Sequence, residues 1–151
     1  MPRRHDHPQR LALPAAPGVM LKQAMESIRR AKLKDTLGRD PVYLALIRRL
    51  PCLKCGVESR NEAAHVRMQS GTFGKHGGIG TKPADRWAVP LCAGCHRNDS
   101  DSQHRLGERE FWGRLGINPV LVCHQLYGQR GDFVAMLAII LDAIAEHGQR
   151  P

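Results

Sequence analysis

The chain has 151 residues and a formal charge of +9, from 23 Lys and Arg against 14 Asp and Glu. That length suits one domain with a modest core rather than two independent ones. The charge favours a polyanionic partner, because each neutralised phosphate releases condensed counterions. The longest apolar stretch, residues 133–141, is far shorter than the ~20 residues a bilayer requires, so no membrane association is expected.

In chain order, residues 1–18 carry Pro2, Pro8, Pro14 and Pro17 among scattered Arg and His and read as a flexible basic tail. Pro14 and Pro17 also interrupt the stretch that a secretion signal would need, so a cytoplasmic protein with reduced thiols is expected. Residues 19–50 read as an N-terminal helical extension. Leu21, Met25, Ile28 and Leu33 space a loose apolar stripe over residues 20–37. Asp40-Pro41 then supplies an N-cap and a first-turn proline for a second helix, which Val42, Leu44, Ile47 and Leu50 carry towards Pro51.

Residues 51–116 differ in texture. A Cys52-x-x-Cys55 knuckle is followed by a predicted strand at 63–67, a glycine-rich stretch at 71–80 and a second strand at 87–91. Cys92-x-x-Cys95-His96 comes next, then a helix over 105–115 that should stop at Gly116. In the C-terminal extension, residues 117–151, Asn118-Pro119 caps a helix ending near Gly128, and Asp132 caps a last helix over 133–147. That last helix is apolar on nearly every face, so it should be covered by the domain itself or by a second copy in a homodimer.

A two-residue spacer lets a tight turn aim two sulfurs at one ion, and two such turns complete a tetrahedron. Cys52, Cys55, Cys92 and Cys95 are therefore expected to hold a structural Zn²⁺ with no open coordination position. Cys123 lies outside both pairs and reads as a buried helix thiol. The zinc knuckles should also draw together His65, at the end of the first strand, His96 and His104. The glycine-rich stretch brings Arg67, Lys75, His76 and Lys82 beside them. Glycine allows close approach of backbone to phosphate, and the cations, with Arg86, Arg97 and Arg105, supply attraction. The stretch lacks the Gly-Lys-Ser/Thr order of a nucleoside triphosphate loop.

The order Ala64-His65, Gly77-Gly78-Ile79-Gly80-Thr81-Lys82-Pro83-x-Asp85 and Pro90-Leu91-Cys92-x-x-Cys95-His96 resembles the HNH endonucleases of the ββα-metal (His-Me finger) fold. Downstream, Gln103-His104 and Glu108-x-x-Phe111-Trp112 continue it. The resemblance is nearest to the cysteine-rich branch common in phages and prophages and covers about residues 50–115.

It implies an α+β fold, a zinc-stabilised ββα-metal core flanked by N- and C-terminal helices. It also implies a DNA-cutting activity that leaves a 5′ phosphate. His65 would be the general base, suited to accept a proton from water at neutral pH. His96, with His104 as second ligand, would hold a catalytic divalent ion such as Mg²⁺, Mn²⁺ or Zn²⁺. Asp85 would stand where the family has its middle Asn, bonding to backbone and fixing the loop that orients His65. Position 64 is Ala where many relatives carry a metal ligand. Two other readings use the same residues: a non-catalytic zinc-stabilised DNA-binding module, and an adaptor in phage or recombination assemblies that docks through the last helix.

Overall fold

The computed structural model describes residues 38–76 and 82–148, together with Lys22, Met25 and Glu26, which are helical. The expected basic tail, most of the first helix and residues 77–81 of the glycine-rich stretch lie outside the described residues. Leu37–Pro151 form one compact unit, and the architecture below is that of this unit.

The fold is α+β. Helix α1 (Pro41–Ile47) begins where expected: the Asp40 side chain accepts from the Tyr43 amide, and Pro41 occupies the first turn. It ends before Pro51 and buries Tyr43, Leu44 and Ile47. Strand β1 (Glu62–His65) pairs antiparallel with β2 (Ala88–Leu91), in the register Glu62↔Leu91, Ala63↔Pro90, Ala64↔Val89 and His65↔Ala88. Every residue of β2 is buried, whereas on β1 only Ala64 is. A single 3₁₀ turn (Asp85–Trp87) precedes β2, and a wide π-type turn (Gly94–Asn98) follows it.

β1 is shorter at its end than the 63–67 expected because the Glu108 carboxylate takes the amides of Arg67 and Met68 at 2.8–2.9 Å. Val66 makes the last ladder bond, to the Trp87 carbonyl at 2.8 Å, and beyond it a side chain from a later helix takes the backbone donors. The single helix expected over 105–115 is two: α2 (Gln103–Leu106) and α3 (Glu108–Leu115). Gly107, at φ 82, breaks the run, a conformation in which a Cβ is strained. α3 stops at the left-handed Gly116, as the sequence implies. Asn118 caps α4 (Pro119–Gly128) through the amides of Val120 and Leu121.

Asp132 accepts from the Ala135 amide at 3.0 Å and so caps α5 (Phe133–Gly148). The chain itself covers this helix only in part. Met136 and Ile140 are buried, but Val134 is 77% exposed and Leu141 49%.

One core joins the helices to the inner face of the hairpin. Trp112, Phe111, Tyr43, Ile47, Leu50, Leu53, Leu91, Leu126, Met136 and Ile140 are its largest fully buried members. Truncating any one of its aliphatic residues to Ala would cost about 2–5 kcal/mol. No helix among the described residues is long and apolar enough to cross a membrane.

Candidate functional site: a thiolate cluster beside a histidine-lined cleft

The four paired cysteines converge. The Sγ atoms of Cys52, Cys55, Cys92 and Cys95 all lie within 4.8 Å of one another, and Cys55 and Cys92 are 3.8 Å apart. Four sulfurs about 2.3 Å from a tetrahedral Zn²⁺ would stand roughly 3.8 Å apart, so the cage has the right size. Local structure explains the aim of the sulfurs. The Gly56 amide closes the first knuckle on the Cys52 carbonyl at 2.7 Å, with Gly56 at φ 72. In the second, the Cys95 amide donates to Cys92 Sγ at 3.4 Å and the His96 amide to the Cys92 carbonyl at 2.9 Å. Burial, and the neighbouring Cys52 sulfur, push the Cys95 thiol far above its ordinary range. Such a set becomes four thiolates only around a compensating cation, and the cluster can hold a metal ion such as zinc. Cys123 is buried in α4 and apart from this cluster, and burial raises its pKa.

Next to the cluster a cleft of about 790 Å³ opens between β1, the π-type turn and α2. His65, His96 and His104 all line it, with Arg67, Lys82 and Gln103. The three imidazoles, with His65 lying 31 and 39 positions before His96 and His104, thus share one neighbourhood. His96 and His104 meet edge to face, their ring centroids 4.6 Å apart. The position of His96 follows from the thiolate cluster, since it directly succeeds Cys95.

Each of the first two histidines is held by a carboxylate, through opposite ring nitrogens. His65 Nε2 donates to Asp85 Oδ1 at 3.0 Å, leaving Nδ1. His96 Nδ1 pairs with Glu62 Oε2 at 2.5 Å, leaving Nε2. Asp85 does more than the loop-fixing role expected of it: it bonds the imidazole directly and also accepts from the Asp40 amide at 2.9 Å through Oδ2. Burial raises its carboxyl pKa, but those donors, with Lys82 at 3.9 Å, outweigh burial and hold it below the usual carboxylate range. Glu62 behaves alike: burial opposes ionisation, and bonds from His96 and Arg97 overcome it. Burial, then the positive charges of His96, Arg67 and Arg97, lower His104. The Oε1 of Gln103, a residue 2% exposed, is a buried acceptor with no partner among the described residues.

The expected DNA-contacting cations divide. Arg67 lines the cleft and is exposed, and so is Lys82, at 69% exposure. Arg97 is exposed and paired with Glu62, beside His96 in the chain. Lys75 and Arg86 turn inward, contrary to expectation. The antiparallel bridge between Ser70 and Lys75 folds the glycine-rich stretch back, and Lys75, 3% exposed, sits with Nζ 5.6 Å from the Trp87 ring centroid. Desolvation lowers its pKa. Arg86 packs between the rings of Trp87 and Tyr127, at 4.7 and 5.1 Å. Their charge serves the core aromatic cluster through cation–π contact.

Reading by sequence missed two members of the site. Glu62 carries no motif, and alternation sets it on the face opposite His65, so only the fold, which brings His96 against it, assigns it to the site. Glu108 belongs to a recognised string, but its role as the clamp on the exit of β1 required the fold.

These features describe an α+β protein with a metal-competent thiolate cluster and an adjoining basic cleft lined by three histidines. Residues 24–126 match the family described as "Protein of unknown function (DUF968)", and the chain belongs to that family. No curated protein and no solved structure matches it.

Proposed function

We propose that the protein is a metal-dependent endonuclease of the HNH type that hydrolyses DNA phosphodiester bonds in this cleft. The observation that carries the reading is the meeting of His65, His96 and His104 in one basic cleft, with His65 held by Asp85. A histidine whose one nitrogen is fixed as a donor to a carboxylate has its other nitrogen fixed as a proton acceptor. In this reading β1, β2 and the turn and helix that follow form the ββα-metal core, and the four cysteines hold structural zinc.

The chemistry follows from these placements. Nδ1 of His65 accepts a proton from water as the water attacks phosphorus, and Asp85 stabilises the imidazolium so formed. The bond from phosphorus to the 3′ oxygen breaks, that oxygen leaves as the hydroxyl protonated from solvent, and the phosphate stays on the 5′ side. Arg67 and Lys82 hold the flanking phosphates. His96, through Nε2, and His104 would hold a divalent ion, which supplies Lewis-acid stabilisation of charge on the phosphate oxygens. The residues suit such an ion: Glu62 orients His96 as a carboxylate orients a metal-bound imidazole, and Gln103 offers a buried, unpartnered acceptor for a coordinated water.

Incubation with supercoiled plasmid and Mg²⁺ or Mn²⁺ tests the proposal. Nicked and linear products with wild type, and their loss in His65→Ala, are expected. One observation favours the second reading, a non-catalytic zinc-stabilised DNA-binding module: Ala64 is wholly buried and supplies no metal ligand. Intact plasmid with a retarded band for both proteins would establish that alternative.

A further inference from the structure

Asp85 is tied from two sides to a segment that precedes the cysteine-bearing core. Its amide donates to the Gly38 carbonyl at 2.6 Å, and its Oδ2 accepts from the Asp40 amide at 2.9 Å. The Asp40 amide is itself held in place, because the Asp40 side chain caps α1 at the Tyr43 amide, and α1 buries Tyr43, Leu44 and Ile47. The Asp85 side chain is 7% exposed, so solvent cannot stand in for a lost donor.

Gly38 is required twice over. Its φ is +111°, and a Cβ there would lie 2.4 Å from Ala84 Cβ and 3.0 Å from Ala84 Cα, in the residue directly before Asp85. We propose that residues 38–40 are positioning residues for His65, acting through Asp85: they fix the carboxylate so that Oδ1 faces His65 Nε2. The proposal rests on the nuclease reading only for its readout in cleavage. It makes the cysteine-bearing core alone an incomplete site, since one wall of the His65–Asp85 pair is built by the entry to α1.

The test combines side-chain ¹⁵N NMR of His65 with single-turnover plasmid cleavage. In wild type a single tautomer protonated at Nε2 is expected. In Gly38→Ala the Cβ must displace Ala84, so a mixture of tautomers and a fall of about 10²-fold in cleavage rate are expected. DNA affinity and zinc content should be unchanged, which a general loss of structure would not allow. The double variant Gly38→Ala/Ala84→Gly removes the 2.4 Å contact and should regain part of both signals.

A single Nε2–H tautomer and wild-type rate in folded Gly38→Ala would overturn the proposal. Should both variants fail to fold, amide exchange of Asp40 in wild type decides: protection comparable to core amides supports the strap, and exchange at the rate of an exposed turn refutes it. An ordered tautomer that Gly38→Ala scrambles, with no cleavage by either protein, would leave the positioning intact and remove the nuclease reading.

Discussion

Asp85→Asn separates the chemistry of the proposed site from its architecture. The carboxylate satisfies two donors at once, His65 Nε2 at 3.0 Å through Oδ1 and the Asp40 amide at 2.9 Å through Oδ2. An amide has a single acceptor oxygen. The Asp40 amide belongs to fixed backbone, so the asparagine oxygen turns to it and the NH₂ faces His65. His65 must then accept at Nε2 and carry its proton on Nδ1, the nitrogen required to take one from water. All hydrogen bonds are still made, so the fold should lose only the charge-assisted part of the network, about 1–3 kcal/mol. The rate should fall by about 10³–10⁴-fold, or roughly 4–5.5 kcal/mol of barrier, as expected when a base is held in the wrong tautomer. Single-turnover cleavage of supercoiled plasmid under saturating divalent ion reads this directly, with thermal melting as the control. A folded Asp85→Asn cutting within about threefold of wild type would refute the reasoning, because the tautomer could not then matter.

Three further outcomes follow from the same geometry. EDTA should act in two stages: low concentrations stop cleavage while zinc content and helical signal persist, and only prolonged chelation strips the thiolate cluster and unfolds the hairpin; simultaneous loss of all three would contradict two distinct metal sites. Glu62→Gln should weaken Mn²⁺ binding by about 10–100-fold in a titration followed by electron paramagnetic resonance, because His96 loses the carboxylate that fixes its Nδ1; unchanged affinity would remove Glu62 from the site. Asp85 and Glu62 are both held below the ordinary carboxylate range, so the stability they contribute is complete above about pH 4–5 and is lost as the pH falls through their lower folded values. Urea midpoints of wild type and Asp85→Asn should therefore converge between pH 6 and pH 3, and a constant gap would show that Asp85 is not ionised in the fold.

What the sequence disclosed, and what it hid, divides by the range of the interaction concerned. Helix starts at Asp40-Pro41, Asn118-Pro119 and Asp132 were legible because a cap is satisfied within three residues of itself. The thiolate cluster was legible because tetrahedral geometry restricts spacing. Residues whose role depends on distant partners were not. Gly107 splits a helix because it occupies positive φ, whereas Gly113 sits inside α3 without breaking it, and nothing local distinguishes the two. Lys75 reads as an exposed loop cation until the turn that begins at Ser70 lays it on Trp87. Glu62 and Glu108 hold atoms 34 and 40–41 positions away, a separation that no periodicity encodes. The apolar character of α5 was evident, but which of its residues this chain covers, Met136 and Ile140, and which it leaves exposed, Val134 and Leu141, was not.

In the proposed reaction, water activated at His65 displaces the 3′ oxygen of a DNA strand. The chemistry of the product ends tests this most directly. Plasmid nicked by the wild-type protein should carry 5′ phosphate and 3′ hydroxyl termini and be resealed by DNA ligase without prior treatment, while His65→Ala should yield no nicks to seal. Nicks that ligase cannot close until a 3′ phosphate is removed, or undiminished nicking by His65→Ala, would contradict it.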